Sequence, residues 1–313
     1  MKRKSVFFLI LLLTGMALCA CGRRSEDTEI KLSGTSATVS GAAAKSVKVE
    51  NGTVTITRSG TYQISGSAKL QLIVDVEGGK AVYLNLNGMD LSCDTSSPVW
   101  IKNATLVCIS LKSGSQNTIT DRHLYVPPEE KDSAGNADAT DTEDIPSAAI
   151  YSRAPLLFEG KGKLTVNAES YNGISTSDTF TMKSGNLTIT AEHHGIKGKD
   201  YVVISDGNLN IKCEGDGIKS TNTDKPSLGY VTISGGNFYI NADDEGIYAP
   251  SSISVSAGNL TVKSKKTAFL TLGTLNLKGG YIDILTDNPP LSASRTDLSA
   301  DVQISVNGHP YKP

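Results

Sequence analysis

The sequence predicts an all-β protein, a parallel β-helix built from coils of 22 residues and closed by an N-terminal cap of strands. This prediction rests on two observations. Two series of glycine-containing motifs repeat in phase, and columns of aliphatic residues have the same period. Composition agrees, because the 313 residues include 30 glycines and only 6% aromatics, which favours strands and turns over helices. A formal net charge of −2 gives no reason to expect a nucleic-acid partner.

The first motif series places a glycine directly before an isoleucine, and the second opens a short alternating segment. The first series has spacings of 22, 22 and 29 residues between Gly173, Gly195, Gly217 and Gly246. The second has spacings of 22, 29, 22 and 22 between Gly185, Gly207, Gly236, Gly258 and Gly280. Both series lengthen by seven residues at the same place. One surface insertion, around residues 222–229, explains that shared change.

Aliphatic residues alternate with polar ones inside every repeat, which is the pattern of strands with one buried face. One predicted inward column consists of Leu187, Leu209, Phe238, Leu260 and Ile282. Another consists of Ile174, Ile196, Ile218 and Ile247. Three short strands per 22 residues, with like residues stacking at a fixed period, predict a parallel β-helix in which each coil buries its inner face only by stacking on its neighbours.

The two ends of the chain and one long insertion fall outside this periodicity. We expect residues 34–313 to form a single β-helix domain, with hairpin-like strands at residues 49–75 capping its N-terminal end. A tether over residues 21–33 is expected before it. Residues 121–147 are acidic and aperiodic and contain Pro, Gly and Ala, so they predict a surface loop. After Cys21, the cysteines Cys93, Cys108 and Cys213 show no metal-binding spacing and predict free, buried thiols.

The first 20 residues predict a lipoprotein signal peptide. A basic start is followed by an apolar run from Val6 to Leu13, which is too short to span a bilayer. The following Leu18-Cys19-Ala20-Cys21 resembles the bacterial lipobox, whose last cysteine carries the lipid. The prediction is a chain anchored at the extracellular face of the cell membrane through Cys21. An ordinary secretory signal cut near Ala20 is the alternative.

Acidic residues gather in the turns before the isoleucines. Because equivalent turn residues stack from coil to coil, Asn172, His194, Asp216 and Glu245 should form a ladder. Stacked carboxylates repel each other unless a cation lies among them, and Ca²⁺ accepts oxygen ligands from flexible turns. The candidate calcium ligands are Asp216, Asp243, Asp244, Glu245 and, in a second turn ladder with Asp178 and Asn222, Asp200. The alternative is that Asp and Asn simply favour turns.

Lysines occupy the position just after the isoleucine in two adjacent coils. Lys197 and Lys219 should stack there, followed by Tyr248, with Lys199 nearby. The lysines of such a row could bind the carboxylates of an acidic sugar chain, and the tyrosine could pack against the face of a sugar. The alternative is that the lysines simply face solvent, which is the commoner reason for exposed lysines. Trp100 could also meet a sugar, or lie in the core between Val99 and Ile101. His193 and His194 lack a third metal ligand at a useful spacing.

The chain resembles a family of secreted bacterial carbohydrate-binding β-helix proteins that are related in fold to polysaccharide lyases. The resemblance is carried, in order, by LSGTSATVSG, GTYQISG, AVYLNLNGMDLS, IPSAAIYS, GIKGKD, GDGIKS and GYVTISGGNF. It implies a right-handed, single-stranded β-helix, calcium ions held by turn acids, and binding of polygalacturonate or cellulose-like polysaccharides. Asp216, Asp244 and Glu245 match its turns best, and Asp144 lies in its acidic tract.

These observations predict non-catalytic, calcium-assisted polysaccharide binding at the bacterial cell surface by a monomer. Two other functions remain open. A polysaccharide lyase would use Lys197 or Lys219 as a base beside an Asp216-bound Ca²⁺. A surface adhesin or structural spacer would need no sugar at all.

Overall fold

A computed structural model of the chain describes residues 27–125 and 145–311. The N-terminal part contains a 3-10 helix at Ala44–Ser46. Its strands are β1 (Thr28–Gly34), β2 (Ser36–Ser40), β3 (Val47–Glu50), β4 (Thr53–Ile56), β5 (Gly60–Lys69), β6 (Gln71–Asp75), β7 (Val82–Cys93), β8 (Val99–Asn103), β9 (Val107–Leu111) and β10 (Gln116–Asp121).

Shorter strands make up the repetitive part and the C-terminal end. The repetitive strands are β11 (Ala148–Ser152), β12 (Leu156–Gly160), β13 (Lys163–Ala168), β14 (Asn172–Thr176), β15 (Thr179–Met182), β16 (Asn186–Ala191), β17 (Ile196–Gly198), β18 (Tyr201–Ile204), β19 (Asn208–Cys213), β20 (Ile218–Ser220), β21 (Tyr230–Ile233), β22 (Asn237–Ala242), β23 (Ile247–Ala249), β24 (Ser252–Val255), β25 (Asn259–Ser264), β26 (Phe269–Thr271), β27 (Thr274–Leu277) and β28 (Gly280–Leu285). The last are β29 (Leu291–Ser292), β30 (Arg295–Leu298), β31 (Val302–Val306) and β32 (His309–Pro310).

These strands stack into three parallel faces, so the predicted β-helix is confirmed. Face 1 contains β9, β12, β15, β18, β21, β24, β27 and β30. Face 2 contains β10, β13, β16, β19, β22, β25, β28 and β31. Face 3 contains β4, β6, β8, β11, β14, β17, β20, β23, β26 and β29, with β3 at its edge. The longer strands β5 and β7 each run along both face 1 and face 2.

The core is the interior of this coil, and the predicted columns line it. Ile174, Ile196, Ile218 and Ile247 pair in register along face 3, and all are fully buried. The column that begins at Leu187 is likewise in register and buried along face 2. Apolar side chains leave water only because successive coils cover one another. The insertion at residues 222–229 forms the loop between β20 and β21, as expected.

The prediction for the N-terminal region needs two corrections. Residues 28–33 are not tether: they lie in β1, which pairs with both β2 and β5 and buries Ile30 and Leu32. Of residues 49–75, only the segment up to Ile56 belongs to an antiparallel hairpin, β3 with β4. Strands β5 and β6 already run parallel to the coils that follow. A hairpin and a parallel coil share the same alternation, so the pattern did not distinguish them.

Other predictions fall partly outside the described residues. The signal peptide, Cys21 and Asp144 lie there, as does most of the loop predicted at residues 121–147; its first residue, Asp121, ends β10 and is fully buried. Cys93, Cys108 and Cys213 are buried thiols that take part in no disulfide, as predicted. Within residues 27–125 and 145–311, no helix has the length and apolar character needed to cross a membrane.

Candidate functional site

The turn that leads from face 2 to face 3 carries a ladder of side-chain acceptors. The Asn172 Oδ1 atom accepts a hydrogen bond from the backbone N–H of His194 at 3.1 Å. His194 Nδ1 accepts one from the Asp216 N–H at 2.9 Å, and Asp216 Oδ1 one from the Glu245 N–H at 3.1 Å. The predicted ladder is confirmed. Its first role is structural, because each side chain satisfies a backbone donor of the next coil.

The hydrogen bonds and the burial of this ladder favour the uncharged form of both histidines. Since His194 Nδ1 accepts a hydrogen bond, its proton is on Nε2, and the 3.4 Å approach of Nδ1 to Asp216 Oδ2 is not an ion pair. Burial, followed by the charge of Lys219, keeps the pKa of His194 well below 6.5. Burial also lowers the pKa of His193 to about 4. The His193 ring stacks on Tyr171 at 4.3 Å and its Nδ1 lies 2.9 Å from Asn172 Oδ1, so both histidines are satisfied turn residues.

Three of the predicted calcium ligands come together at this turn. Carboxylate oxygens of Asp216, Asp244 and Glu245 lie within 4.8 Å of one another. Asp216 is almost fully buried, whereas the other two are half-buried. Two lysines accompany them: Lys219 Nζ lies 3.0 Å from Asp216 Oδ2, and Lys266 pairs with Asp244. Three carboxylates therefore face two ammonium groups.

Both the burial of Glu245 and the carboxylates around it shift the pKa of this residue. Burial, a hydrogen bond with Asp216 and the charges of Asp216 and Asp244 raise this pKa from 4.5 to about 7. A raised carboxyl pKa means that the folded chain binds more protons than the unfolded chain between these two values. Stability contributed by this group is therefore lost as the pH rises from 4.5 towards 7. A proton or an added cation relieves the same repulsion.

The other predicted ligands lie elsewhere. Asp243 Oδ2 pairs with Lys265 Nζ at 2.5 Å and is not part of the cluster. Asp200 belongs to the turn that leads from face 3 to face 1, where its Oδ1 accepts a hydrogen bond from Asn222 at 2.7 Å. Adjacent residues of a turn point in different directions, which is why Asp243 separates from Asp244. The oxygen donors that remain suit a hard cation such as Ca²⁺.

The predicted lysine row is part of a longer column on the outer side of face 3. Ser175, Lys197, Lys219 and Tyr248 pair in register on consecutive strands, as predicted. In the other direction, the column continues from Ser175 through Tyr151, Trp100 and Ile73. Lys199 is not in it: this residue is exposed in the turn between β17 and β18.

Aromatic rings lie in this column on either side of the two lysines. Lys219 Nζ lies 5.3 Å from the centre of the Tyr248 ring, and Lys102 Nζ lies 4.0 Å from that of Trp100. Trp100 is half-buried and faces outward, while its neighbours Val99 and Ile101 are the core residues. Tyr151, one coil before Ser175 in the same column, is fully buried and presents no surface to a ligand.

Comparisons with known proteins agree with this architecture. A profile of the carbohydrate-binding domain-containing protein family matches residues 50–311. A protein of that description from Acetivibrio thermocellus is 33% identical over 201 residues, which cover 61% of this chain and 66% of the relative. This chain thus spans about two thirds of the length of that relative.

A solved structure extends the similarity. It is described as a polysaccharide lyase-like protein from C. thermocellum, in a gadolinium derivative. The match has a TM-score of 0.67 at 30% identity and covers 87% of this chain and 100% of the solved one. From the fold and the extent of these matches, this chain belongs to the carbohydrate-binding domain-containing protein family.

Proposed function

We propose that the outer side of face 3 binds an acidic polysaccharide of the polygalacturonate kind, without catalysis and with the assistance of calcium. The observation that carries this proposal is the column in which Lys197, Lys219 and Tyr248 follow one another in register beside the acidic cluster. Membership of a carbohydrate-binding family supplies the class of ligand.

The charges of the column suit a polyanion. Strands of one face are about 4.8 Å apart, so the ammonium groups of Lys197 and Lys219 occupy neighbouring levels of one wall. Lys219 is already paired with Asp216, so a calcium ion that took over this carboxylate would leave both ammonium groups available to an added anion. Repeating carboxylates along an extended sugar chain supply such anions, and the Tyr248 ring offers a flat surface to a sugar.

The acidic cluster continues the same surface. Lys219 contacts both Asp216 and the Tyr248 ring, so the lysines and the cluster are directly connected. Asp216, Asp244 and Glu245 would hold a calcium ion, which supplies positive charge and coordination positions for sugar oxygens.

The lyase alternative rests on the likeness to a lyase-like protein. Elimination needs an unprotonated base near the sugar, and an ammonium group that is already ion-paired does not provide one. Lys219 lies 3.0 Å from the Asp216 carboxylate. This contact favours Lys219 as a fixed charge for binding over Lys219 as a base.

We also propose that the domain is held at the outer surface of the bacterial cell membrane by a lipid on Cys21. This part of the proposal comes from the sequence of residues 1–21 alone. It would place face 3 where extracellular polymers can reach it. Metabolic labelling with a tagged fatty acid, compared with the Cys21→Ala variant, tests it.

The binding proposal is tested by affinity electrophoresis of residues 22–313. Gels would contain polygalacturonate, a soluble cellulose derivative or no polymer, each with calcium or with a chelator. The same protein would be incubated with polygalacturonate, and the ultraviolet absorbance of an unsaturated product followed. We expect calcium-dependent retardation by polygalacturonate and no rise in absorbance. A rising absorbance would show that the protein is a lyase. If no polymer retarded the protein, a surface adhesin or structural spacer would be the remaining function.

Calcium is expected to stabilise the folded chain through Asp216. At pH 8 and a saturating concentration, it should raise the unfolding temperature by about 2–5 °C. At pH 5.5 the rise should be smaller, because Glu245, with its pKa raised to about 7, holds a proton there. The Asp216→Asn variant should lose most of the effect. An asparagine keeps the turn hydrogen bond, as Asn172 does two coils earlier.

Asp243→Asn is the matched control for this measurement. It removes a neighbouring carboxylate that lies outside the cluster, so its calcium response should equal that of the unmodified chain. Equal calcium responses of Asp216→Asn and the unmodified chain would remove Asp216 from the proposed site. Circular dichroism, with magnesium as a second ion, gives the unfolding temperatures.

A further inference from the structure

The outer side of face 2 carries a row of asparagines that the proposed function does not use. Asn208 Nδ2 donates to Asn186 Oδ1 at 2.6 Å, Asn237 to Asn208 at 3.2 Å, and Asn259 to Asn237 at 2.8 Å. The amides orient one another, yet each amide in the middle of the row keeps one N–H and one lone pair free. The result is a fixed line of donors and acceptors along the helix axis.

A second row runs beside this one, two residues further along each strand. It consists of Thr188, Asn210, Tyr239 and Thr261 in register. Between the two rows lies a shallow groove of about 380 Å³. None of the side chains lining it is charged, although 20% of the chain's residues are. Charged residues bound this stretch: Lys163 precedes Asn186 in the asparagine row, and Asp283 follows Thr261 in the second row. Lys212 and Lys263 lie in the next outward row.

Exposed aromatic rings lie at this groove. Tyr239 is 44% exposed and lines it, and Tyr281, which is 60% exposed, pairs with Asn259 at the end of the asparagine row. Among the large hydrophobic side chains exposed in residues 27–125 and 145–311, these two are the aromatic ones. Two exposed tyrosines on one polar wall are a feature that core packing does not explain.

We propose that face 2 is a second glycan-binding surface and that its ligand is an uncharged polysaccharide lying along the helix axis. Amide and hydroxyl groups pair with sugar hydroxyls, and tyrosine rings pack against the apolar faces of sugar rings. Because the amides are already held in place by one another, binding orders few side chains. The absence of charge in the groove matches an uncharged chain and gives no attraction to a polyanion.

The dimensions also suit an extended chain. Tyr239 and Tyr281 lie two coils apart, which corresponds to about 10 Å along the axis. One coil therefore advances by a distance close to that of one sugar residue in an extended polymer. Face 2 and face 3 are separate walls of the helix, so the two proposed surfaces can be tested independently.

The test compares neutral and acidic polymers on the same variants. Affinity electrophoresis of residues 22–313 would use hydroxyethylcellulose, glucomannan and xyloglucan as neutral probes and polygalacturonate as the acidic one. The Tyr239→Ala/Tyr281→Ala double variant should lose about tenfold in affinity for the neutral probe that binds best, with polygalacturonate binding unchanged. Leu272→Ala, which truncates another exposed hydrophobic side chain, 62% exposed and outside the groove, should change neither.

Unfolding temperatures of all variants would be measured first, since both tyrosines are exposed and their truncation should leave the fold intact. Binding of the unmodified chain to none of the three neutral probes would overturn the proposal. So would unchanged neutral binding by the double variant, an equal loss of neutral and acidic binding, or a loss of neutral binding by Leu272→Ala. Failure of polygalacturonate binding alone would count against face 3 and leave face 2 standing.

Discussion

The Lys197→Ala/Lys219→Ala double variant should bind polygalacturonate about tenfold more weakly than the unmodified chain at low ionic strength. Both ammonium groups stand in one column beside the Tyr248 ring, and each lost contact with a sugar carboxylate removes a charge-assisted hydrogen bond. The difference should shrink as salt is added, because salt screens exposed charges. Titration by affinity electrophoresis over a series of polymer concentrations measures it.

A matched control separates position from net charge. Lys212→Ala/Lys263→Ala removes the same charge from exposed positions of face 2, and should leave polygalacturonate binding nearly unchanged. Lys199→Ala tests the third predicted lysine, which lies in the turn outside the column. Equal losses in the two double variants would mean that net charge, and not the column on face 3, governs binding.

The Gly217→Ala variant should lose about 3 kcal/mol or more of its free energy of unfolding. A Cβ atom at this position would lie 2.3 Å from Ile240 Cγ2 and 2.6 Å from the backbone oxygen of Gly246. The next coil cannot retreat without losing the hydrogen bond from Ile218 N to that same oxygen, at 3.1 Å. The glycine is thus required by the close approach of two coils.

Gly114→Ala is the control for this prediction. Gly114 has a φ of +77°, but nothing lies within 4 Å of a Cβ placed there. Its replacement should cost only about 1 kcal/mol, the usual cost of a left-handed conformation for an alanine. Chemical denaturation measures both free energies. A smaller loss for Gly217→Ala than for Gly114→Ala would contradict the account of the turn.

The fold could be predicted from the sequence because its burial is periodic. Every coil must present apolar side chains at the same inward positions. An isoleucine therefore recurs at the same position of successive coils, as Ile174, Ile196, Ile218 and Ile247. The N-terminal cap was harder. Alternation indicates that β1 has a buried side but not which strand pairs with it, and so residues 28–33 were predicted as a tether.

The sequence predicted which residues of the candidate site share a column, but not all of the contacts between their side chains. Register alone brings Lys197, Lys219 and Tyr248 into one row. What the residue types conceal is that asparagine, histidine and aspartate serve the same purpose in the turn, since each can accept a hydrogen bond from a backbone N–H. The direction of each side chain in a turn is equally hidden, so Asp243 and Asp244 looked alike in the sequence but have different partners.

The groove on face 2 went unnoticed for a different physical reason. Asparagine and threonine at outward positions of a strand are what any solvated sheet shows, so they carry no signal of their own. Only the structure brings Asn186, Asn208 and Asn237 within hydrogen-bonding distance and sets the exposed Tyr239 beside them.

The proposed role of face 3 is tested by a crystal structure of residues 22–313 with a galacturonate oligomer and calcium. We expect the sugar to lie along face 3, with its carboxylates at Lys197 and Lys219 and a sugar ring against Tyr248. An ion is expected among Asp216, Asp244 and Glu245. A saturating oligomer bound away from this column, or absent from the crystal altogether, would contradict the proposed role of face 3.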